Sequence, residues 1–174
     1  DGLHVRDIVS WSALIAGYVR EEKGHEAIKF YERMRREGLS PDEVTFTCIL
    51  KACGHSRAIN KGKEVHKEIV NRGLLEKNII LGNALVDMYG KCGALGKARQ
   101  ILEGLPFRNV VSWSSLIAGY AKEGQDNQAL SCFLSMQEEG HSPDNVTFLC
   151  ILNACIRVGK LDVAQTYYES MSRK

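Results

Sequence analysis

Proline is scarce in this sequence: only Pro41, Pro106 and Pro143 occur in 174 residues, which leaves long stretches with nothing to stop a helix. A surplus of charge is missing too. The balance of 23 Lys+Arg against 21 Asp+Glu gives a formal charge of +2, so any polyanion-binding role has to be argued from where the cations sit. The six cysteines include no C-x-x-C pair, which removes the usual zinc and dithiol motifs. Cys48, Cys53, Cys150 and Cys155 fall on helical apolar positions and read as reduced core thiols of an intracellular protein. No apolar run approaches the length of a membrane span, and no basic, serine-rich leader precedes the first unit.

Repetition takes the place of these features. The stretch IVSWSALIAGY from Ile8 to Tyr18 returns as VVSWSSLIAGY from Val110 to Tyr120, and residues 42–53 return as residues 144–155 at the same offset of 102. A fixed offset is the signature of a tandem array, in which each unit packs only on its neighbours. Related starts at Asp7, Asp42, Asn78, Asn109 and Asp144 set unit lengths of 35, 36, 31 and 35. The expected division is residues 1–6 as the tail of a preceding unit, then units 7–41, 42–77, 78–108, 109–143 and an incomplete 144–174. The opening on such a tail suggests a piece of a longer array.

Ile8, Trp11, Leu14, Ile15 and Tyr18 recur at steps of three and four, which predicts a helix with one apolar face. Ala27, Ile28, Tyr31 and Met34 predict a second helix after a polar break at Arg20 to His25. Each unit is thus a helix-turn-helix hairpin, and the three prolines, all at unit ends, punctuate the series. Aligned by unit, the twentieth column is always small (Ala27, Gly62, Ala98, Ala129, Ala164) and lets helices approach closely; the fourth is aromatic except at Gly82 (Trp11, Phe46, Trp113, Phe148). Trp11 and Trp113 should occupy equivalent buried environments. Gly93, Gly124 and Gly159 mark the turns of the last three units, whereas Glu22 and Arg57 stand there in the first two and predict turns that are looser or differently shaped.

Two columns do not belong to the apolar faces. The thirteenth reads Arg20, His55, Lys91, Lys122 and Arg157, all basic, although Lys, Arg and His make up only 28 of 174 residues. Charge alone leaves two readings open: compensation of the helix dipole, or a ladder of cations one repeat apart facing phosphates. The fifth column reads Ser12, Thr47, Asn83, Ser114 and Leu149, four of them short hydrogen-bonding residues, expected opposite the packing face. Asp42, Asn78, Asn109 and Asp144 close the units and suit N-caps, but capping does not account for polar groups inside the helix.

The cycle of lengths, with DIVSWSALIAGY and NVVSWSSLIAGY, DEVTFTCILKAC with GKEVHKEIVNRG, and NIILGNALVDMYGKCGALGKAR, resembles plant pentatricopeptide repeats (PPR) of the PLS subclass, in P-type, L-type and S-type order. The resemblance implies an all-α, right-handed α-solenoid of about five repeats and ten helices that binds single-stranded RNA, one base per repeat. It further implies that fifth and last residues select the base: Ser12 with Asp42 for guanine, Thr47 with Asn78 (or Lys77) for adenine, Asn83 with Asn109 for a pyrimidine, and Ser114 with Asp144 for guanine. Leu149 departs from this pattern. The basic column would serve the phosphates, and L-type units would contact small organellar RNA-editing partner proteins. Chloroplast or mitochondrion is the implied location.

Relatives of this kind can end in a zinc deaminase that converts C to U, but here the H-x-E of His66 and Glu68 lacks its following C-x-x-C. His66 shares a packing column with Tyr31, Leu102, Phe133 and Tyr168 and reads as a helix-packing histidine. Gly90, Gly93 and Gly96 fit no phosphate-loop spacing and are assigned to the turn of the short unit. No enzyme activity, metal or cofactor is expected. Trp11, Leu14, Gly17, Tyr18 and Ala27 are also similar to tetratricopeptide repeats, which leaves a protein-binding solenoid as the alternative; that repeat keeps a 34-residue period.

Overall fold

The structure, a computed structural model, describes residues 7–171; the expected tail at 1–6 and the last three residues of the 144–174 unit lie outside them. These residues form ten helices and no strand: α1 (Ile8–Arg20), α2 (Gly24–Arg36), α3 (Glu43–His55), α4 (Ile59–Asn71), α5 (Ile79–Lys91), α6 (Leu95–Gly104), α7 (Val110–Lys122), α8 (Asp126–Glu138), α9 (Asn145–Arg157) and α10 (Leu161–Met171). The break expected from Arg20 to His25 is shorter, since Arg20 ends α1 and Gly24 already belongs to α2.

Each odd-numbered helix starts where a short polar side chain can satisfy its first free N–H groups. Asp7, Asp42, Asn78, Asn109 and Asp144 each accept from a backbone N–H two or three residues on, whereas α2, α4, α6 and α8 have no side-chain cap. Caps of this kind contribute about 1 kcal/mol apiece. At their C-termini the odd helices end in one turn type. A 6→1 bond closes it, from Lys23, Ala58, Ala94, Gln125 and Lys160 N–H to the carbonyls of Tyr18, Cys53, Tyr89, Tyr120 and Cys155. This corrects the expectation for the first two turns. Glu22 and Arg57 adopt the left-handed conformation of the glycines, at φ 56° and 52° against 76°, 69° and 74° for Gly93, Gly124 and Gly159. The closing bonds hold them there against a steric cost of about 1 kcal/mol each. Of the three glycines assigned to the short unit's turn, only Gly93 sits in it; Gly90 lies in α5 and Gly96 in α6.

The odd helices stack in a row, α1 on α3, α3 on α5, α5 on α7 and α7 on α9. Each even helix from α2 to α8 packs on its own partner and on the next odd helix, while α2 and α4 meet only through long side chains, in the ion pairs Arg35–Glu68 and Lys61–Glu32. The odd helices therefore form the closely stacked row of the array, its inner row, and the even helices stand further apart on the other side. Ala27, Ala98 and Ala129 are fully buried at the close contacts, and Trp11 and Trp113 are both buried. Their surroundings differ in detail: Trp11 lies beside Phe30 and under the Arg33 guanidinium, whereas Trp113 Nε1 donates to Glu139 Oε2 at 3.1 Å. In the short unit a Cβ on Gly82 would lie 2.6 Å from Leu105 Cδ2. Leu105, buried from the following loop, thus occupies the place of the missing aromatic.

Two packing positions are exposed at the ends of the described array. Leu14 is 42% exposed although its counterparts Ile49, Leu85, Leu116 and Ile151 are fully buried, and Tyr168 is exposed where Tyr31, Leu102 and Phe133 are buried. No described unit covers either. The cysteines are unpaired, and burial pushes the Cys53 thiol up to about 12 and that of Cys132 to about 11, which keeps both protonated and unreactive.

Candidate nucleic-acid interface

The inner row presents a feature that the apolar periodicity conceals. Val9, Val44, Ile80, Val111 and Val146, the second residue of each odd helix, are 55% to 68% exposed. A large aliphatic side chain left in water once is ordinary; five in one register form a stripe that calls for a ligand. The signal was present in the sequence as an aliphatic column. These residues lie beside the predicted apolar face but outside its three- and four-residue steps, so the periodicity assigns them no role.

Beside this stripe lie the polar pairs. Ser12 and Ser114, expected opposite the packing face, are instead buried, at 6% and 9% exposure. The reason is a hydrogen bond between units. Ser12 Oγ lies 2.6 Å from Thr45 Oγ1, and Thr45 Oγ1 and N–H bond Asp42 Oδ1 at 2.6 and 2.7 Å. The second copy repeats this: Ser114 Oγ to Thr147 Oγ1 at 2.6 Å, Thr147 Oγ1 and N–H to Asp144 Oδ1 at 2.7 and 2.8 Å, with Ser114 Oγ also 3.3 Å from Asp144 Oδ2. Burial acting alone would raise the Asp144 carboxyl; the donors from Thr147 and Ser114 outweigh it and hold the group below its usual value. Each serine thus meets its closing aspartate through one threonine.

The other two pairs are built differently. Thr47 donates to the Glu43 carbonyl of its own helix at 2.9 Å, and Asn78 caps α5 while its amide donates to the Glu43 carboxylate, so these two are not bonded together. Asn83 Nδ2 donates to Asn109 Oδ1 at 3.3 Å, which brings the third pair into direct contact. Asn83 Oδ1 is buried and accepts no hydrogen bond from the described residues. Thr47, Asn83 and Asn109 line one concavity of about 410 Å³ with Ile80, Val111 and Lys51. Lys51 escaped the sequence reading because it falls in none of the compared columns. Leu149 is 62% exposed and offers no polar atom.

Of the basic column, His55, Lys91 and Lys122 line a second concavity of about 250 Å³, joined by Arg57 and Glu22 from the left-handed turns. Lys91 Nζ bonds Asp87 at 2.8 Å and lies 3.3 Å from His55 Nε2, which must therefore be the unprotonated nitrogen. Arg20 stands apart at the first turn, beside Lys23. Arg157 is engaged: its guanidinium bonds both Asp126 oxygens and the Ala121 carbonyl, and the pairing lowers the Asp126 carboxyl. With Arg157 engaged and His55 accepting from Lys91 as a neutral ring, the column supplies three cations, Arg20, Lys91 and Lys122, of which Lys91 is also paired with Asp87. Arg57 adds another that the columns did not reveal.

Neither half of the H-x-E motif is available. His66 Nδ1 lies 3.0 Å from the Tyr89 hydroxyl with its ring edge-on to Tyr89, and burial lowers its pKa. Glu68 is paired with Arg35 and Arg72.

The family model described as the PPR repeat family matches residues 6–55 and 108–157, and that of the PPR repeat matches residues 44–74 and 146–174. A pentatricopeptide repeat-containing protein of Arabidopsis thaliana is 38% identical over 171 residues, covering 98% of this chain and 34% of the relative. A mitochondrial pentatricopeptide repeat-containing protein of the same plant is 40% identical over 164 residues, covering 94% of this chain and 26% of its own length. The chain thus spans about a third or less of these relatives. Among solved structures, the maize pentatricopeptide repeat protein PPR10 in complex with an 18-nt psaJ RNA element superposes with a TM-score of 0.77 at 16% identity, over 92% of this chain and 24% of that one. The PPR domain of Arabidopsis thaliana protein-only RNase P 1 in complex with tRNA gives 0.70 at 13% identity, over 91% of this chain and 85% of that one. Two family models that between them take in most of the sequence, and a shared helical architecture, lead to one conclusion: the chain belongs to the pentatricopeptide repeat family.

Proposed function

We propose that the chain binds single-stranded RNA along the inner row of odd-numbered helices, one base per polar pair. The observation that carries this is the coincidence on one face of three registers: exposed aliphatics to flank bases, polar pairs to meet base edges, and cations for phosphates. The structures of PPR10 with an RNA element and of the RNase P domain with tRNA support the reading. Residues 7–41 and 109–143 act as P-type units, 42–77 and 144–174 as L-type and 78–108 as S-type. The base order is guanine at Ser12/Asp42, adenine at Thr47/Asn78, a pyrimidine at Asn83/Asn109 and guanine at Ser114/Asp144, from 5′ to 3′. Leu149, with no polar atom to offer, ends the series. The chain performs no chemistry of its own and acts as a specificity module of an organellar RNA processing or C-to-U editing factor, in chloroplast or mitochondrion; the mitochondrial relative supports an organellar setting.

A second reading has its own observation. Phe107, 72% exposed, lines a concavity of about 440 Å³ with Leu75, Leu105 and Pro106, next to Asn78 of the second pair. It suits a protein contact, such as a small editing partner at the end of the L-type unit.

Fluorescence anisotropy with a short RNA bearing the proposed bases tests the first reading. For single strands the log–log salt slope is about −0.7 per phosphate neutralised, so with three column cations its magnitude should stay near or below roughly 2.1. Lys91→Glu with Lys122→Glu should abolish most binding. Undiminished binding would return these lysines to the role of helix-end charges and leave the protein-binding reading in front.

A further inference from the structure

The hydroxyl groups of Thr45 and Thr147 determine where the protons of the serine–aspartate pairs point. Thr45 Oγ1 lies 2.6 Å from Asp42 Oδ1 and 2.6 Å from Ser12 Oγ. An ionised carboxylate only accepts, so the single threonine proton goes to Asp42, and the short contact with Ser12 then requires Ser12 to donate. Ser12 has one proton, and it is spent inside the protein. What remains unused is lone pairs on Ser12 Oγ and on Asp42 Oδ2, which accepts no hydrogen bond from the described residues. At the second copy Thr147 likewise donates to Asp144 Oδ1, so the 2.6 Å contact with Thr147 takes the Ser114 proton ahead of the longer 3.3 Å approach to Asp144 Oδ2.

We infer that Thr45 and Thr147 are specificity-determining residues that never touch the base: by taking up the serine proton, each makes its serine–aspartate pair a set of acceptors only. This rests on the reading of the pairs as base contacts. The ligand that satisfies two neighbouring acceptors is a guanine base, whose N1–H and N2–H donors lie side by side. Adenine brings an unprotonated N1 to the same place, uracil offers a single N–H between two carbonyls, and cytosine a single amine beside lone pairs. The remaining junctions show what happens without the threonine. Leu81 holds the equivalent place in the third unit, and Thr47 and Asn78 are left unconnected. Ser112 holds it in the fourth, where its hydroxyl is taken by the backbone of Asn109.

The test is the ratio of affinities for two RNAs that carry guanine or adenine opposite one pair, measured with the whole chain at low salt. For wild type, guanine should be favoured. Thr45→Val frees the Ser12 proton to meet adenine N1, and the guanine-to-adenine ratio at the matching base, and only there, should fall about tenfold, the worth of one hydrogen bond; Thr147→Val, which leaves Ser114 its contact with Asp144 Oδ2, should lower the ratio at its own base by less. A purely structural role would weaken both RNAs equally and leave the ratio unchanged, which overturns the inference while sparing the base-contact reading; a wild type with no preference at these bases overturns both. Should the valine variants lose their helical circular dichroism, the wild-type hydroxyl protons decide the matter by NMR. Protons running from Ser12 to Thr45 to Asp42 are required, and the reverse order refutes the inference.

Discussion

The junctions α1–α3 and α7–α9 are built alike, 102 residues apart, while the junctions between them follow another plan. In the outer two, a tryptophan opens the odd helix and a buried threonine ties serine to aspartate. In the short unit, Gly82 and Leu105 replace the aromatic and Leu81 replaces the threonine. The same stacking is thus achieved with two different interiors. The backbone contacts of an array tolerate substitution as long as volume is conserved, whereas hydrogen-bond polarity at a junction depends on one side chain and changes from unit to unit.

The largest expected effect tests the aromatic half of this comparison. Trp113→Ala should cost about 3–5 kcal/mol in denaturant unfolding, as for other buried aromatics. Leu105→Ala should cost less, about 2–4 kcal/mol, and Gly82→Leu in the same chain should recover part of the loss by refilling the space. If Gly82→Leu worsened Leu105→Ala, the two side chains would not be exchanging one site. Next comes the polar half: Thr147→Val leaves the buried Ser114 hydroxyl with only its long contact to Asp144 and should cost about 1–3 kcal/mol. The turns come after that. Glu22→Gly removes a left-handed non-glycine residue and should stabilise the chain by about 1 kcal/mol, read as a rise in Tm, while Gly124→Glu should lower it by a similar amount.

The smallest effect concerns pH. The folded Asp144 carboxyl titrates below its ordinary 3.8, so its stabilisation is complete above that value and is lost as pH falls through the lowered folded one. Asn109, capping the preceding odd helix, has no such proton. Asp144→Asn should therefore lessen acid sensitivity below about pH 4 without altering stability at neutral pH by more than a cap's worth, and an unchanged acid transition would remove Asp144 from the account.

The unit starts, hairpins, caps and packing columns were legible because they depend on local period and on side chains that act within one turn of helix. The burial of Ser12 and Ser114 was not. Periodicity assigns a helix one buried face, whereas α1 and α7 each also pack on the next odd helix, α3 and α9, and that second contact, closed by the serine–threonine bond, takes in the fifth position. The pairing of Arg157 with Asp126 bridges 31 residues and two units, and nothing in either residue's neighbourhood announces it. The left-handed conformation of Glu22 and Arg57 was hidden for the opposite reason: residue type argued against it, and the closing bond of the turn prevailed.

The most direct test of base reading by the polar pairs is to convert one interior into the other. Asn83→Ser with Asn109→Asp and Ser112→Thr, made within the array, gives the short unit the outer side chains with their bridging threonine, and binding is measured to four RNAs that differ only at the base facing it. The account predicts that preference moves from a pyrimidine to guanine at that base alone, by on the order of 1–3 kcal/mol. An unchanged pyrimidine preference in a folded protein would contradict it.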